Sequence, residues 1–135
     1  MRAQISAELL IVLGFVIAVI IPIIIYFFSY YGLFFNSINS MKTVEWMITV
    51  DNLIKNTLYS GSGSKFLEYQ QINVEITNIE NIEINKNTYV VYSLKTGEKI
   101  IFYYPFKVNV TAYKKYGSVK TSFENINGIV NVRIE

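Results

Sequence analysis

The chain contains no cysteine and no histidine, has only two prolines, and carries no charged side chain between Glu8 and Lys42. Each absence removes a class of function. Without cysteine there are no disulfides, no CxxC redox couple and no thiolate metal site. Without histidine the chain lacks the commonest general base near neutral pH and the commonest metal ligand. Triads and zinc sites of the usual type are therefore excluded, and any catalysis would rest on carboxylates, lysines or tyrosines. Concentrated positive charge is missing too: the formal net charge is +2, and the longest basic run is Lys114-Lys115. Nucleic-acid binding draws its affinity from a clustered cationic face. These absences point away from an enzyme, a cofactor or a nucleic-acid partner.

What is present is unevenly placed. The 135 residues are enough for one small globular domain with an appendage. Leu9 to Phe28 (LLIVLGFVIAVIIPIIIYFF) holds no charge or amide. At about 1.5 Å per residue, twenty residues span a hydrocarbon core of about 30 Å as a helix. A helix is expected because backbone groups in lipid must find partners within their own segment. Pro22 lies inside the run and predicts a kink, not an end, since membrane helices tolerate proline. Gly14 and Gly32 form no GxxxG pair. The apolar character continues through Tyr30, Tyr31, Leu33, Phe34 and Phe35, beyond what one crossing requires. The aromatic cluster Tyr26–Phe35 suits a membrane–water interface.

From Asn36 to Tyr59 the pattern becomes amphipathic. Ile38, Met41, Val44, Met47, Ile48, Leu53, Ile54 and Leu58 recur at spacings of three and four, with Lys42, Glu45, Asp51 and Lys55 on other faces. This predicts one long helix over residues 4–59, with Asn36-Ser37 and Asn39-Ser40 as its weak point. Ser60-Gly61-Ser62-Gly63-Ser64 reads as a flexible link over 60–64.

Residues 65–135 read as strand. Ile72, Val74 and Ile76 alternate with polar residues, as do Ile82 and Ile84, Val108, Val110 and Ala112, and Val130, Val132 and Ile134. Turn signals stand at Asn85-Lys86-Asn87, Thr96-Gly97, Tyr116-Gly117 and Asn127-Gly128. Lys99 to Phe106 (KIIFYYPF) is apolar enough to predict a strand buried on both faces, ended by Pro105. The expected fold class is α+β: a long N-terminal hydrophobic helix followed by a small antiparallel β-sandwich-like head of about seven strands.

The residues in front of the apolar run carry the most specific signal. A secretory signal peptide would place its cleavage site after the hydrophobic stretch, where here the aromatic-rich Tyr26–Phe35 stands and no small-residue A-x-A site follows. Met1-Arg2-Ala3-Gln4-Ile5-Ser6-Ala7-Glu8 instead resembles the N-terminus of archaeal type IV pilins, the class III signal-peptide family. The matched motif is Gln-x-Ser-x-Glu before an apolar run, here Gln4, Ser6 and Glu8. The leader is three residues long and ends in Ala3, where glycine is common in the family. The resemblance implies that residues 1–3 form a leader which a prepilin peptidase cuts between Ala3 and Gln4. Gln4 then becomes the first mature residue and Glu8 the fifth.

It further implies a membrane-held precursor that assembly machinery polymerises with copies of itself into an extracellular filament, with surface adhesion as the expected role. Arg2 inside and the later charges outside agree with the positive-inside tendency. Glu8 has a physical reason to act in assembly, because a carboxylate near the bilayer needs a partner. A competing role is simple capping of a helix start, and Ser6 has an equally plain reading as a small polar residue. Asn109-Val110-Thr111 is the one permitted Asn-x-Thr sequon, making Asn109 a candidate glycosylation site if the head is outside. Glu75, Glu80 and Glu83 suit a solvated strand face better than a metal or acid–base site. Three other classes compete. They are a single-pass membrane protein with an external binding domain that never polymerises, an accessory part of an archaeal motility or secretion machine, and a membrane-tethered hydrolase.

Overall fold

In the computed structural model the backbone is described from Arg2 and side chains from Ser6 to Glu135. One helix, α1, runs Arg2–Tyr59 and passes through Pro22 without ending. Seven strands follow: β1 Lys65–Ile72, β2 Ile76–Ile84, β3 Asn87–Leu94, β4 Lys99–Tyr104, β5 Val108–Ala112, β6 Gly117–Ile126 and β7 Ile129–Ile134. The protein is α+β. It divides into two compact units within α1, one ending at Ile38 and the other formed by Asn39–Glu135. The boundary falls in the polar stretch between the apolar and amphipathic halves of the helix.

In the second unit, four strands in the order β1-β6-β7-β5 form one sheet and three in the order β2-β3-β4 form another. All neighbours are antiparallel except β5 and β7, which run parallel with Val110 opposite Val132. The core lies between the two inner sheet faces and the helix. It is built by Val108, Val110, Val119, Phe123, Val130, Val132 and Ile134 from the larger sheet, and by Val90, Tyr92, Leu94 and Tyr104 from the smaller one. Residues at alternate positions bury because a strand's side chains have period two. The helix adds Trp46, Met47, Val50 and Ile54.

Four expectations need correction. First, the helix stripe is shifted. Met41 and Ile48 are exposed, whereas Trp46, Val50 and two threonines, Thr43 and Thr57, are buried. The threonines bury at little cost because each hydroxyl donates to the carbonyl four residues back, Asn39 at 3.0 Å and Leu53 at 2.6 Å. Second, Ile72, Val74 and Ile76 do not share a strand. The chain changes sheets there, and the Val74 N–H donates to the Thr43 hydroxyl at 2.9 Å.

Third, β4 is an edge strand with one face buried, and Ile101 is 62% exposed. Fourth, Ser60–Ser64 is tied down. The Gly63 N–H donates to the Asn125 carbonyl, the Asn125 N–H to the Ser64 carbonyl, and the Ser64 hydroxyl to the Thr57 carbonyl. A Gly/Ser composition allows flexibility, but these bonds to β6 fix the turn. Two hairpins carry paired left-handed residues, Asn85-Lys86 and Asn127-Gly128, as two-residue turns matched to strand twist require.

Free sheet edges invite pairing with other chains, and the β5 edge is closed from within. The Asn81 amide donates to the Val110 carbonyl at 2.9 Å and accepts from the Val110 N–H at 3.0 Å. The Thr88 hydroxyl accepts from the Val108 N–H at 3.1 Å. These side chains of the smaller sheet imitate a ladder partner for the larger one. Asn81→Ala should lower head stability by about 1–2 kcal/mol, measured by urea melting. An unchanged midpoint would show that water replaces both bonds.

Between helix and smaller sheet lies a polar cluster. Asp51 accepts from Lys55 at 2.6 Å, and the phenols of Tyr92 and Tyr104 are buried without a hydrogen-bond partner. Burial, and then the Asp51 carboxylate, push the Tyr92 phenol well above its ordinary 10.0. Burial, and then Tyr92 and Asp51, do the same to Tyr104. The folded state holds these protons after the unfolded chain has released its own. The tyrosines' contribution is therefore complete below pH 10 and is lost as the pH rises above it. Thermal melts of the head should show stability falling above pH 10. Tyr92→Phe should flatten that fall and leave neutral-pH stability equal or higher, because it removes an unpaired buried hydroxyl.

Candidate functional site: the N-terminal helix

From Ser6 to Ser37 every residue of α1 is exposed. Between Leu9 and Phe35 these include twenty-two large hydrophobic side chains, with Leu9 67%, Phe15 72% and Phe28 71% exposed. Removing one such side chain from water is worth about 1.5–3 kcal/mol, so the segment holds tens of kcal/mol of unmet burial. It is the one helix among the described residues long and apolar enough to cross a membrane.

The polar atoms inside this segment are suited to a low-dielectric surround. The Ser29 hydroxyl donates to the Ile25 carbonyl at 2.9 Å and that of Ser37 to Leu33 at 3.0 Å. Each hydroxyl is thereby paired within the helix and needs no water. Aromatic rings pack along the helix at a spacing of four: Tyr26 against Tyr30 at 4.7 Å and Tyr31 against Phe35 at 5.8 Å, both tilted, and Phe27 stacked on Tyr31 at 6.3 Å. These contacts prearrange a broad aromatic surface. A Cβ added at Gly14 or Gly32 would meet nothing within 4 Å. Contacts within the chain therefore do not explain why glycine stands at either place.

The candidate residues fall as follows. Ala3 and Gln4 lie on helical backbone, with their side chains outside the described residues. Ser6 and Glu8 are exposed on α1, and Glu8 has no ion-pair partner among the described residues. Glu8 lies beyond the first turn of α1, which holds no acidic residue. Cleavage before Gln4 would bring it close to the new end.

Asn109 is exposed on β5 and pairs in register with Asn131, on the face turned away from the core. The three glutamates are dispersed. Glu75 binds Lys95 at 2.8 Å, Glu83 binds Lys107 at 2.7 Å, and Glu80 accepts from the Asn78 amide at 2.7 Å. No group of three potential metal-ligating side chains occurs among the described residues. Sequence reading missed Asp51, Tyr92 and Tyr104, whose convergence depends on the packing of helix on sheet.

No protein-family model, curated protein or solved structure matches this chain.

Proposed function

We propose that this protein is a structural subunit of an extracellular filament of the type IV pilus class. The membrane stores it through the apolar half of α1, and assembly moves that half from lipid to a core of identical helices. The observation that carries the reading is the exposed apolar segment from Leu9 to Phe35, preceded by the motif Gln4, Ser6 and Glu8. A lone bilayer crossing needs about twenty apolar residues. The extra length, with its ladder of packed rings, suits packing against neighbouring helices over a longer span. Contacts between unlike surfaces of identical subunits extend into a filament where the rotation between copies does not close a ring. In this reading a prepilin peptidase cuts between Ala3 and Gln4, the heads form the outer surface, and Asn109 carries a glycan. Adhesion is the corresponding biological role.

Mass spectrometry of the mature protein from producing cells tests this together with electron microscopy of shed material. The expected N-terminus is Gln4, the peptide holding Asn109 is heavier by a glycan, and filaments are visible. An intact Met1 on protein that remains dispersed in the membrane would favour a non-polymerising membrane protein and end the filament reading.

A further inference from the structure

The four sheet edges of the head are treated differently. β5 is capped by Asn81 and Thr88. β2 approaches β5, carries Glu80 and Glu83, and has a register irregularity between Ile76 and Asn78. Such devices blunt an edge against pairing. The other two edges have fewer. β4 ends the smaller sheet and β1 the larger one, and among the described residues no backbone bond reaches the outer side of either.

β4 has no charge between Lys99 and Tyr104, and it exposes Ile101 (62%) and Tyr103 (51%). Its outer face continues inward through Tyr89, whose ring packs at a tilt 5.2 Å from that of Tyr103. β1 exposes Leu67 (49%) and Tyr69 (69%), likewise two residues apart on its outer face. A row of unused backbone donors and acceptors beside alternating apolar side chains fits an extended strand. A lipid surface would leave the backbone row unpaired, at high cost. A sugar stacked on Tyr103 would leave it unpaired as well.

We propose that the two open edges meet between neighbouring copies, β4 of one head adding to β1 of the next. The contact is antiparallel, with Tyr69 beside Ile101 and Leu67 beside Tyr103. That register sets Gln71 opposite Lys99. The parallel alternative, with Leu67 beside Ile101, would set Lys65 against Lys99. The contact joins unlike edges, so it can repeat from copy to copy, and along a filament it does so without closing a ring. The proposal rests on the filament reading, for which it supplies the contact between heads.

The absence of native cysteine makes the test direct. Side chains opposite one another on neighbouring antiparallel strands place their Cβ atoms about 5 Å apart, within small adjustment of disulfide geometry. Filaments of the Tyr69→Cys/Ile101→Cys double variant, oxidised and run without reductant, should give a ladder of dimer, trimer and higher forms. Each single variant should run as monomer. Dimers from Ile101→Cys alone would mean that β4 meets itself and would overturn the proposal. Filaments of the double variant that stay monomeric would overturn it too, while leaving the filament reading intact. Absence of filaments from the unmodified chain would remove both. Because Ile101 is exposed, Ile101→Lys should keep the head's melting temperature yet lower filament yield at least tenfold. Normal yield from that variant would also overturn the proposal.

Discussion

Replacing Asn125 with alanine should destabilise the head by about 3 kcal/mol, the largest effect expected of any polar substitution in it. Asn125 is 2% exposed on β6, and its amide has three partners. The nitrogen lies 3.3 Å from both the Thr57 and the Leu58 carbonyls, and the oxygen accepts from the Gly128 N–H at 2.9 Å. Thr57 and Leu58 belong to the last turn of α1, whose carbonyls have no partner within the helix. One side chain therefore closes the helix end and holds the Asn127-Gly128 turn. Alanine removes all three bonds, each worth about 1 kcal/mol, while the Thr57 and Leu58 carbonyls keep the Ser64 hydroxyl and the Gly61 N–H as partners. Urea melting should show a lower midpoint with an unchanged slope. Asn125→Asp should be no milder, since it removes both donors and sets a carboxylate against carbonyl oxygens. A shift below about 1 kcal/mol in either variant would mean that water enters and takes over the bonds.

The contrast with Asn81 follows from burial. Asn81 makes two comparable bonds but is exposed, so solvent can occupy the same positions after truncation. The gap between the two variants therefore measures solvent access more than bond number. Both residues also show what the head gains from asparagine: a donor and an acceptor on one short arm, able to imitate a missing strand or a missing helical turn.

Features written in neighbouring residues were legible in the sequence. The left-handed pairs at Asn85-Lys86 and Asn127-Gly128 announce their hairpins, because few other residues accept that backbone. The long apolar helix is legible from its length and composition alone. What failed was set by partners distant in the chain. Alternation runs unbroken through Ile72, Val74 and Ile76, so nothing local marks the change of sheet. Thr43 and Thr57 read as polar, yet they bury by bonding their own helix. The helix stripe thus runs through Thr43, Trp46, Met47, Val50 and Ile54 and leaves Met41 and Ile48 outside it. Ile101 and Tyr103 read as core because an apolar run does not distinguish an interior from an unpartnered edge. That β5 runs parallel to β7, and that Asp51 lies near Tyr92 and Tyr104, are both products of tertiary packing.

Replacing Glu8 with alanine should reduce filament abundance by about two orders of magnitude and leave membrane insertion unchanged. In the free precursor Glu8 is exposed at the start of the apolar run, where interfacial water can solvate it. Assembly would bring it among neighbouring helices, where an unpaired carboxylate costs several kcal/mol. In the proposed filament, cleavage before Gln4 would create a counter-charge of suitable kind, the new α-amine. On an adjacent copy that amine can reach Glu8 and compensate for its burial. A pair worth about 3 kcal/mol per added subunit corresponds to roughly a hundredfold in the equilibrium for addition. Glu8→Gln separates charge from shape. If the ion pair matters, E8Q should lose filaments as fully as E8A; if packing or hydrogen bonding suffices, E8Q should assemble and E8A should not. Membrane fractionation establishes that each variant inserts, and electron microscopy counts the filaments. Normal filament numbers from E8A would remove Glu8 from the mechanism, leaving apolar burial from Leu9 to Phe35 as the whole driving force.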